Sequence, residues 1–90
     1  MVDKPAILTE LQEIPGVGKS ISRDLYDLGI TSVARLKDKN PEKLYIQLCN
    51  LRRRHIDRCV LYTFRCAVYY ASHKKHQKKL LDWWAWKDTY

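Results

Sequence analysis

Apolar residues recur at three- and four-residue spacing along most of the chain, as they do in helices that pack on one face. The pattern predicts six helical segments and no strand. They lie at about 6–14, 18–28, 31–36, 41–49, 54–72 and 80–87. The linkers between the first four are a few residues long, so we expect these helices to be neighbours. The sequence therefore predicts an all-α, compact single domain of five to six short helices over residues 1–90.

Capping signals set several of the predicted helix ends. Gly29 stands where a left-handed residue would close the second helix. Thr31 is predicted to cap the short third helix, and Asn40 followed by Pro41 is a strong start signal for the fourth. The apolar face of the fourth helix is predicted to carry Leu44, Ile46 and Leu48, and Tyr45 is a candidate further member.

The helix over 54–72 is the longest and the most apolar. Its outer strip is predicted to hold only Asp57, Arg58, Leu61, Arg65 and Ser72. A helix this apolar is expected to be the central post of the fold. A basic joint over 73–79 runs into a Trp-rich C-terminal helix, at about 76–87. Its tryptophans are expected to close a small core, with stacking on the bases of an open strand as the alternative.

The turn Pro15-Gly16-Val17-Gly18 carries the clearest chemical signal in the chain. One proline and two glycines within four residues let the backbone turn sharply and expose its amides where a helix begins. Amides at a helix N-terminus bind anions, and a nucleic-acid backbone is a polymeric anion. The alternative is a tight helix–helix turn with a structural or protein-contact role.

The net charge of +7 is unevenly distributed. Residues 1–45 carry seven Lys/Arg and seven acids, whereas residues 46–90 carry ten Lys/Arg and three acids. A one-sided basic surface favours polyanions through counterion release. It also suits an acidic protein partner, so charge alone leaves the partner open.

Other chemistries find no support in the sequence. Gly18-Lys19-Ser20 ends like a Walker loop, but that motif needs a glycine at position 13, where Glu13 stands. We see no paired carboxylates, no catalytic histidine constellation and no metal-ligand cluster, and so predict no enzyme, no cofactor and no metal.

The odd number of cysteines, three, argues against a disulfide framework. Cys59 and Cys66 are seven residues apart on one helix and cannot bridge each other or share one zinc ion, so we expect buried, inert thiols. The alternative is a thiol-dependent function, which would need one thiol exposed and acidified by a nearby arginine.

The sequence shows neither a signal peptide nor a membrane span. The first residues lack an apolar run, and the longest apolar stretch, 59–71, is too short for a bilayer and is broken by Arg65. We therefore expect a cytoplasmic protein with no membrane partner.

The first hairpin, at about 6–29, resembles the helix-hairpin-helix family. The residues that fit its pattern are Leu11, Ile14, Pro15, Gly16, Val17, Gly18, Ser22, Leu25 and Gly29. The resemblance implies that amides from Gly16 through Val17 to Gly18 contact phosphates of one DNA strand without reading its sequence. Lys19, Ser20 and Arg23 are then placed to add contacts.

Later segments extend the likeness over nearly the whole chain. They are Gly29–Leu36, Asn40–Leu44, Leu48–Leu51, Asp57–Tyr62, Phe64–Val68 and Trp83–Trp86. Together they resemble the "pathogenicity locus" family of small bacterial helix-hairpin-helix proteins, some of which are labelled mitomycin-resistance-associated. This likeness implies a SAM-like, helix-hairpin-helix fold and a DNA-binding module with no assigned reaction.

The joint Leu51–Arg54 takes the place of a second hairpin. It contains neither glycine nor proline, so any contact with a phosphate backbone would come from the side chains of Arg52, Arg53 and Arg54. The alternative is a solvated basic turn. DNA binding further requires the fold to bring this joint, or the basic joint at 73–79, to the side of the first hairpin. The competing hypothesis is protein–protein interaction or self-association through the Trp- and Tyr-rich surface.

Overall fold

The regular structure of the chain is helical throughout residues 4–87, the range that the computed structural model describes. The α-helices are α1 (Lys4–Leu11), α2 (Lys19–Asp27), α3 (Pro41–Arg52) and α4 (Arg58–Ser72). Short 3₁₀ helices span Val33–Leu36, Lys78–Leu81 and Trp83–Trp86. The all-α prediction is confirmed for this range, and the radius of gyration of 12.4 Å is that of a single compact globule. The predicted domain limits, residues 1 and 90, lie outside the described residues.

The number and type of helices differ from the prediction of five to six. Over residues 4–87 there are four α-helices, and the third and last predicted helices are replaced by 3₁₀ turns. Ser32, not Thr31, caps the first of these turns, since its Oγ accepts the amide of Arg35 at 3.3 Å. The Trp-rich end forms two separate 3₁₀ helices because Asp82 between them is extended, with ψ at 121°.

Two α-helices are shorter than their periodicity predicts. After Leu11, residues 12–14 continue as a turn, in which the amide of Ile14 bonds the carbonyl of Leu11 at 3.2 Å. The helix predicted from residue 54 begins only at Arg58, because the Asp57 carboxylate caps it by accepting the amide of Cys59 at 2.9 Å. In both places apolar spacing runs past the point where the hydrogen bonds stop.

Gly29 ends α2 in the left-handed conformation that its sequence position predicts, with φ at +90°. Its amide bonds the carbonyl of Tyr26, and the amide of Ile30 bonds the carbonyl of Leu25, both at 2.9 Å. This is the paired closure of a Schellman motif, in which the residue after the glycine contacts the last turn. Ile30 and Leu25 are both buried, so this helix end also belongs to the core.

α4 is the central element of the core, as predicted. It packs against α3 and against all three 3₁₀ helices. Its buried residues are Leu61, Thr63, Phe64, Cys66 and Ala67. The prediction that Leu61 lies on an outer strip is wrong, since this side chain is 2% exposed. A helix covered by several elements buries a wider arc than the single stripe of an amphipathic helix.

The buried face of α3 is rotated from its predicted position. Leu44 and Leu48 are buried, and Tyr45, the candidate further member, joins them, whereas Ile46 is 58% exposed. The Tyr45 hydroxyl donates a hydrogen bond to the carbonyl of Ile56, which satisfies its buried polar atom. The predicted start at Asn40 is confirmed, because its Oδ1 accepts the amides of Glu42 and Lys43.

Replacement of Gly29 by alanine should destabilise the protein by about 1–2 kcal/mol, the cost of a Cβ in the left-handed region. No atom lies within 4 Å of the new Cβ, so backbone conformation alone carries the loss. Gly18→Ala is the matched control, since this site is equally open and its φ is −98°. Urea unfolding should show the larger loss for Gly29→Ala; equal losses would contradict the strain argument.

Candidate nucleic-acid interface

The hairpin turn between α1 and α2 is held by two apolar anchors. Ile14 is 1% and Val17 5% exposed, and the amide of Val17 bonds the carbonyl of Ile14 at 3.0 Å. Gly16 has φ at +86° and Gly18 is the extended N-cap of α2, and both are exposed. The predicted contact residues therefore fall into two groups. Val17 faces the core and its amide is bonded to the carbonyl of Ile14, whereas Gly16 and Gly18 lie at the surface.

The start of α2 leaves several amides open. Gly18 offers no side chain as a cap, and the first amide of this end with a backbone partner is that of Ser22, on the carbonyl of Gly18 at 3.0 Å. Among residues 4–87 no protein acceptor is found for the amides of Gly18, Lys19 and Ser20. Such amides, together with the positive end of the helix dipole, are what an anion binds at a helix N-terminus.

The two helices of the hairpin approach each other closely at Ser22. This residue is fully buried, and its Oγ donates to the carbonyl of Lys19 at 2.9 Å and accepts Nε2 of Gln12 at 3.3 Å. The small side chain thus fits the crossing and also ties the turn after α1 to the first turn of α2. That turn is fixed in place before any ligand binds.

The C-terminal segment covers one side of the hairpin turn. A Cβ built on Gly16 would lie 3.5 Å from Cβ and Cδ1 of Trp83 and 3.7 Å from Cγ2 of Thr63. The buried thiol of Cys66 lies 3.9 Å from the carbonyl of Pro15. No local pattern in the sequence predicts that Trp83 supports the hairpin, because the two lie far apart along the chain.

The first turn of α2 and the end of α3 meet in one surface cleft. This hairpin cleft has a volume of about 530 Å³ and is lined by Lys19, Ser20, Arg23, Asp24, Asp27, Arg52 and Arg54. It joins the electrically neutral first half of the chain to the basic second half. The juxtaposition that DNA binding requires is thus present for Arg52 and Arg54.

Arg52 is not an open cation in this cleft. Its Nη2 donates to Oδ1 of Asp24 at 2.8 Å and to Oδ2 of Asp27 at 2.7 Å. These two hydrogen bonds raise the pKa of Arg52 above its ordinary value. Arg52 therefore clamps α3 onto α2 and pairs with both acids of the cleft, offsetting one of their two negative charges. The positive charge left over belongs to Lys19, Arg23 and Arg54, which are all exposed.

The joint after α3 does not present open amides as the first hairpin does. Arg53 is left-handed, with φ at +55°. Its amide bonds the carbonyl of Asn50, and the amide of Arg54 bonds that of Cys49, both at 3.2 Å. Only the side chains of this joint are available to an anion, as its lack of glycine predicts. Arg53 is exposed but does not line the hairpin cleft.

The thiols and the other titratable groups in the described part of the chain form no second candidate site. Within residues 4–87, no three His, Cys, Asp or Glu side chains come close enough to hold a metal ion. The prediction of buried thiols holds for Cys66 alone, since Cys49 and Cys59 are half-buried. Burial raises the pKa of Cys66 to about 11. In the same range, no helix is long and apolar enough to cross a membrane.

Removal of the Arg52 clamp should lower the free energy of unfolding by about 1 kcal/mol, as expected for a partly exposed ion-pair network. Arg54→Gln removes the same charge two residues away without breaking a pair, and serves as control. Urea unfolding of Arg52→Gln and Arg54→Gln should separate the two at low salt, with a smaller difference at high salt. Equal stability of the two variants would contradict the clamp.

The Cys66 thiol should resist alkylation in the folded protein, whereas Cys49 and Cys59 react first; in unfolded protein all three should react alike. Because its pKa is raised from 9.0 to about 11 on folding, Cys66 stabilises the fold fully below pH 9. That contribution should fall as the pH rises through 11. Peptide mass mapping checks the order of labelling, and the alkaline fall should be smaller in Cys66→Ala.

Comparison with known proteins supports the whole-chain resemblance. The family model described as Pathogenicity locus (Cdd1) matches residues 4–90. A relative, the "Mitomycin resistance protein McrB" of Streptomyces lavendulae, is 33% identical over 60 residues, which cover 67% of this chain and 57% of that protein. The match thus spans little more than half the length of this curated relative. No solved structure matches the chain. With the family model aligned to almost every residue, the chain belongs to the Pathogenicity locus family.

Proposed function

We propose that this chain is a non-catalytic, sequence-independent DNA-binding module of the helix-hairpin-helix type. The observation that carries the proposal is the hairpin cleft, in which the open amides at the start of α2 lie beside cations from α2 and from the end of α3. Such a module would act in the bacterial cytoplasm, where the chromosome lies.

Each predicted site residue then has a distinct role. Gly16 makes the turn and Val17 anchors it in the core, while the amides of Gly18, Lys19 and Ser20 bind a phosphate. The side chains of Lys19, Arg23 and Arg54 neutralise that phosphate and its neighbours. We assign Arg52 to positioning, since its guanidinium is held by Asp24 and Asp27. Arg53 adds charge beside the cleft.

These contacts reach phosphates only, and phosphates are the same at every base pair. Binding is therefore expected to be insensitive to sequence and strongly sensitive to salt. Arg52 makes the cleft attractive to DNA in an indirect way, because without its two ion pairs Asp24 and Asp27 would face the backbone as uncompensated carboxylates.

The test is a titration of duplex DNA at low and moderate salt. Lys19→Ala and Arg54→Ala should each weaken binding roughly 3- to 10-fold at low salt and reduce the salt slope by about 1. The loss should be the same for unrelated DNA sequences. Lys74→Ala is the matched control, because Lys74 is exposed and lies outside the hairpin cleft.

Two outcomes would contradict the proposal. The first is no binding to duplex DNA at low salt, whether or not the chain binds single-stranded DNA. The second is an equal loss for Lys19→Ala and Lys74→Ala, which would mean that overall charge rather than the hairpin cleft attracts DNA.

The alternative, a protein-interaction or self-association module, rests on a different observation. Trp84 is 55% exposed in the C-terminal 3₁₀ helix, and Ile46 and Leu51 of α3 are 58% and 49% exposed. Exposed large apolar side chains suit a partner surface. Sedimentation separates the hypotheses, because a stable dimer that is lost in Trp84→Ala and binds no DNA would favour self-association.

A further inference from the structure

A second basic cleft lies on residues that the hairpin cleft does not use. It has a volume of about 340 Å³ and lies between the end of α2, the 35–40 segment and the first turns of α3. Its charged residues are Arg35, Lys39 and Lys43, all exposed, and no lining residue is a carboxylate. Unlike in the hairpin cleft, no acidic side chain lines this basic cleft to offset the charge of its cations.

Next to it lies a groove of about 720 Å³. One wall is the second half of α4, with Val68 and Tyr69, and Ala85 and Trp86 line it from the C-terminal 3₁₀ helix. The rings of Tyr69 and Trp86 are 5.5 Å apart between centroids and tilted by 43°. We call this the aromatic groove; its volume is in the range of sites that bind small molecules.

Hydrogen bonds of Arg65 and Trp86 link the elements that line the aromatic groove. Arg65 donates through Nε to Oε1 of Glu42 at 2.9 Å and through Nη1 to the carbonyl of Trp86 at 2.8 Å. Nε1 of Trp86 donates to the carbonyl of Leu80 at 2.9 Å, which fixes the orientation of the indole. Arg65 and Glu42 thus neutralise each other. The other Lys, Arg, Asp and Glu residues that line the groove are Asp38, Lys39 and Lys87.

The basic cleft and the aromatic groove meet at Lys39, which lines both. The surface that they form thus carries two aromatic rings and three cations, and one of these cations, Lys39, lines both parts. Base stacking on aromatic side chains next to a cationic track is how single strands are bound without sequence preference. A duplex offers no unstacked base to such a groove.

We infer that this surface binds single-stranded nucleic acid, with one unpaired base in the aromatic groove and its flanking phosphates on Arg35, Lys39 and Lys43. The inference goes beyond the proposed function, since it concerns a second surface and a different form of nucleic acid. The two can fail separately, because no residue is shared with the hairpin cleft.

The test compares a labelled oligothymidylate with an abasic strand of equal length and charge, by fluorescence anisotropy. The full chain should bind the base-bearing strand more tightly. Trp86→Leu should weaken that binding roughly 5- to 100-fold, the worth of one stacked base, and leave the abasic strand and a duplex unaffected. Trp84→Leu is the matched control, because Trp84 is exposed in the same 3₁₀ helix but lies outside the groove.

Lys39→Ala keeps the test decisive should Trp86→Leu fail to fold, as circular dichroism would show. Lys39 is exposed, and its loss should weaken both single strands roughly threefold while duplex binding stays unchanged. A matching oligouridylate should bind as the DNA strand does, since stacking and phosphate contacts do not read the sugar.

The inference is overturned if the abasic and base-bearing strands bind equally, or if Trp86→Leu and Trp84→Leu have the same effect. Loss of duplex binding alone in Lys19→Ala leaves it standing. If neither the unchanged chain nor any variant binds duplex DNA, but Trp86→Leu weakens the binding of the single strand, the proposed function fails and this inference holds.

Discussion

The burial of α4 is the interaction on which the rest of the structure depends. Phe64, Cys66 and Ala67 are fully buried, and the helix contacts α3 and every 3₁₀ helix of the described chain. Truncating a buried phenylalanine costs about 3–5 kcal/mol, whereas a domain of this kind is stable by about 5–15 kcal/mol. The two candidate surfaces therefore depend on α4 for their position, although most of their charged groups come from other elements.

In both surfaces, one set of groups determines where and in which orientation a ligand binds, and another set supplies the positive charge. In the hairpin cleft, backbone amides supply geometry, and part of the charge comes from the end of α3, brought close by Arg52. In the other surface, two rings supply geometry and three cations near the start of α3 supply charge. α3 thus contributes to a different surface at each of its ends, which is how a short chain can offer two contacts to a long polyanion.

What the sequence predicts well is local. Gly29 and Asn40 mark helix ends through the conformation of one residue or the hydrogen bonds of one side chain, and both predictions are confirmed. What it misses is tertiary. The burial of Leu61 depends on the elements packed around α4, and the end of the first helix at Leu11 depends on how the following turn enters the core.

The candidate site shows the same limit. Lys19 and Ser20 are predictable from the hairpin pattern, and a basic joint at Arg52–Arg54 is visible in the charge distribution. That Arg52 pairs with Asp24 and Asp27 while Arg54 does not depends on the angle at which α3 meets α2. Trp83 lies against Gly16, so the last 3₁₀ helix packs on the turn between α1 and α2. The hairpin consequently depends on the C-terminal segment for its structure. Grafted onto another scaffold, it would lose its contact with Trp83. A ligand that stabilises the turn would also stabilise the packing of Trp83 against it.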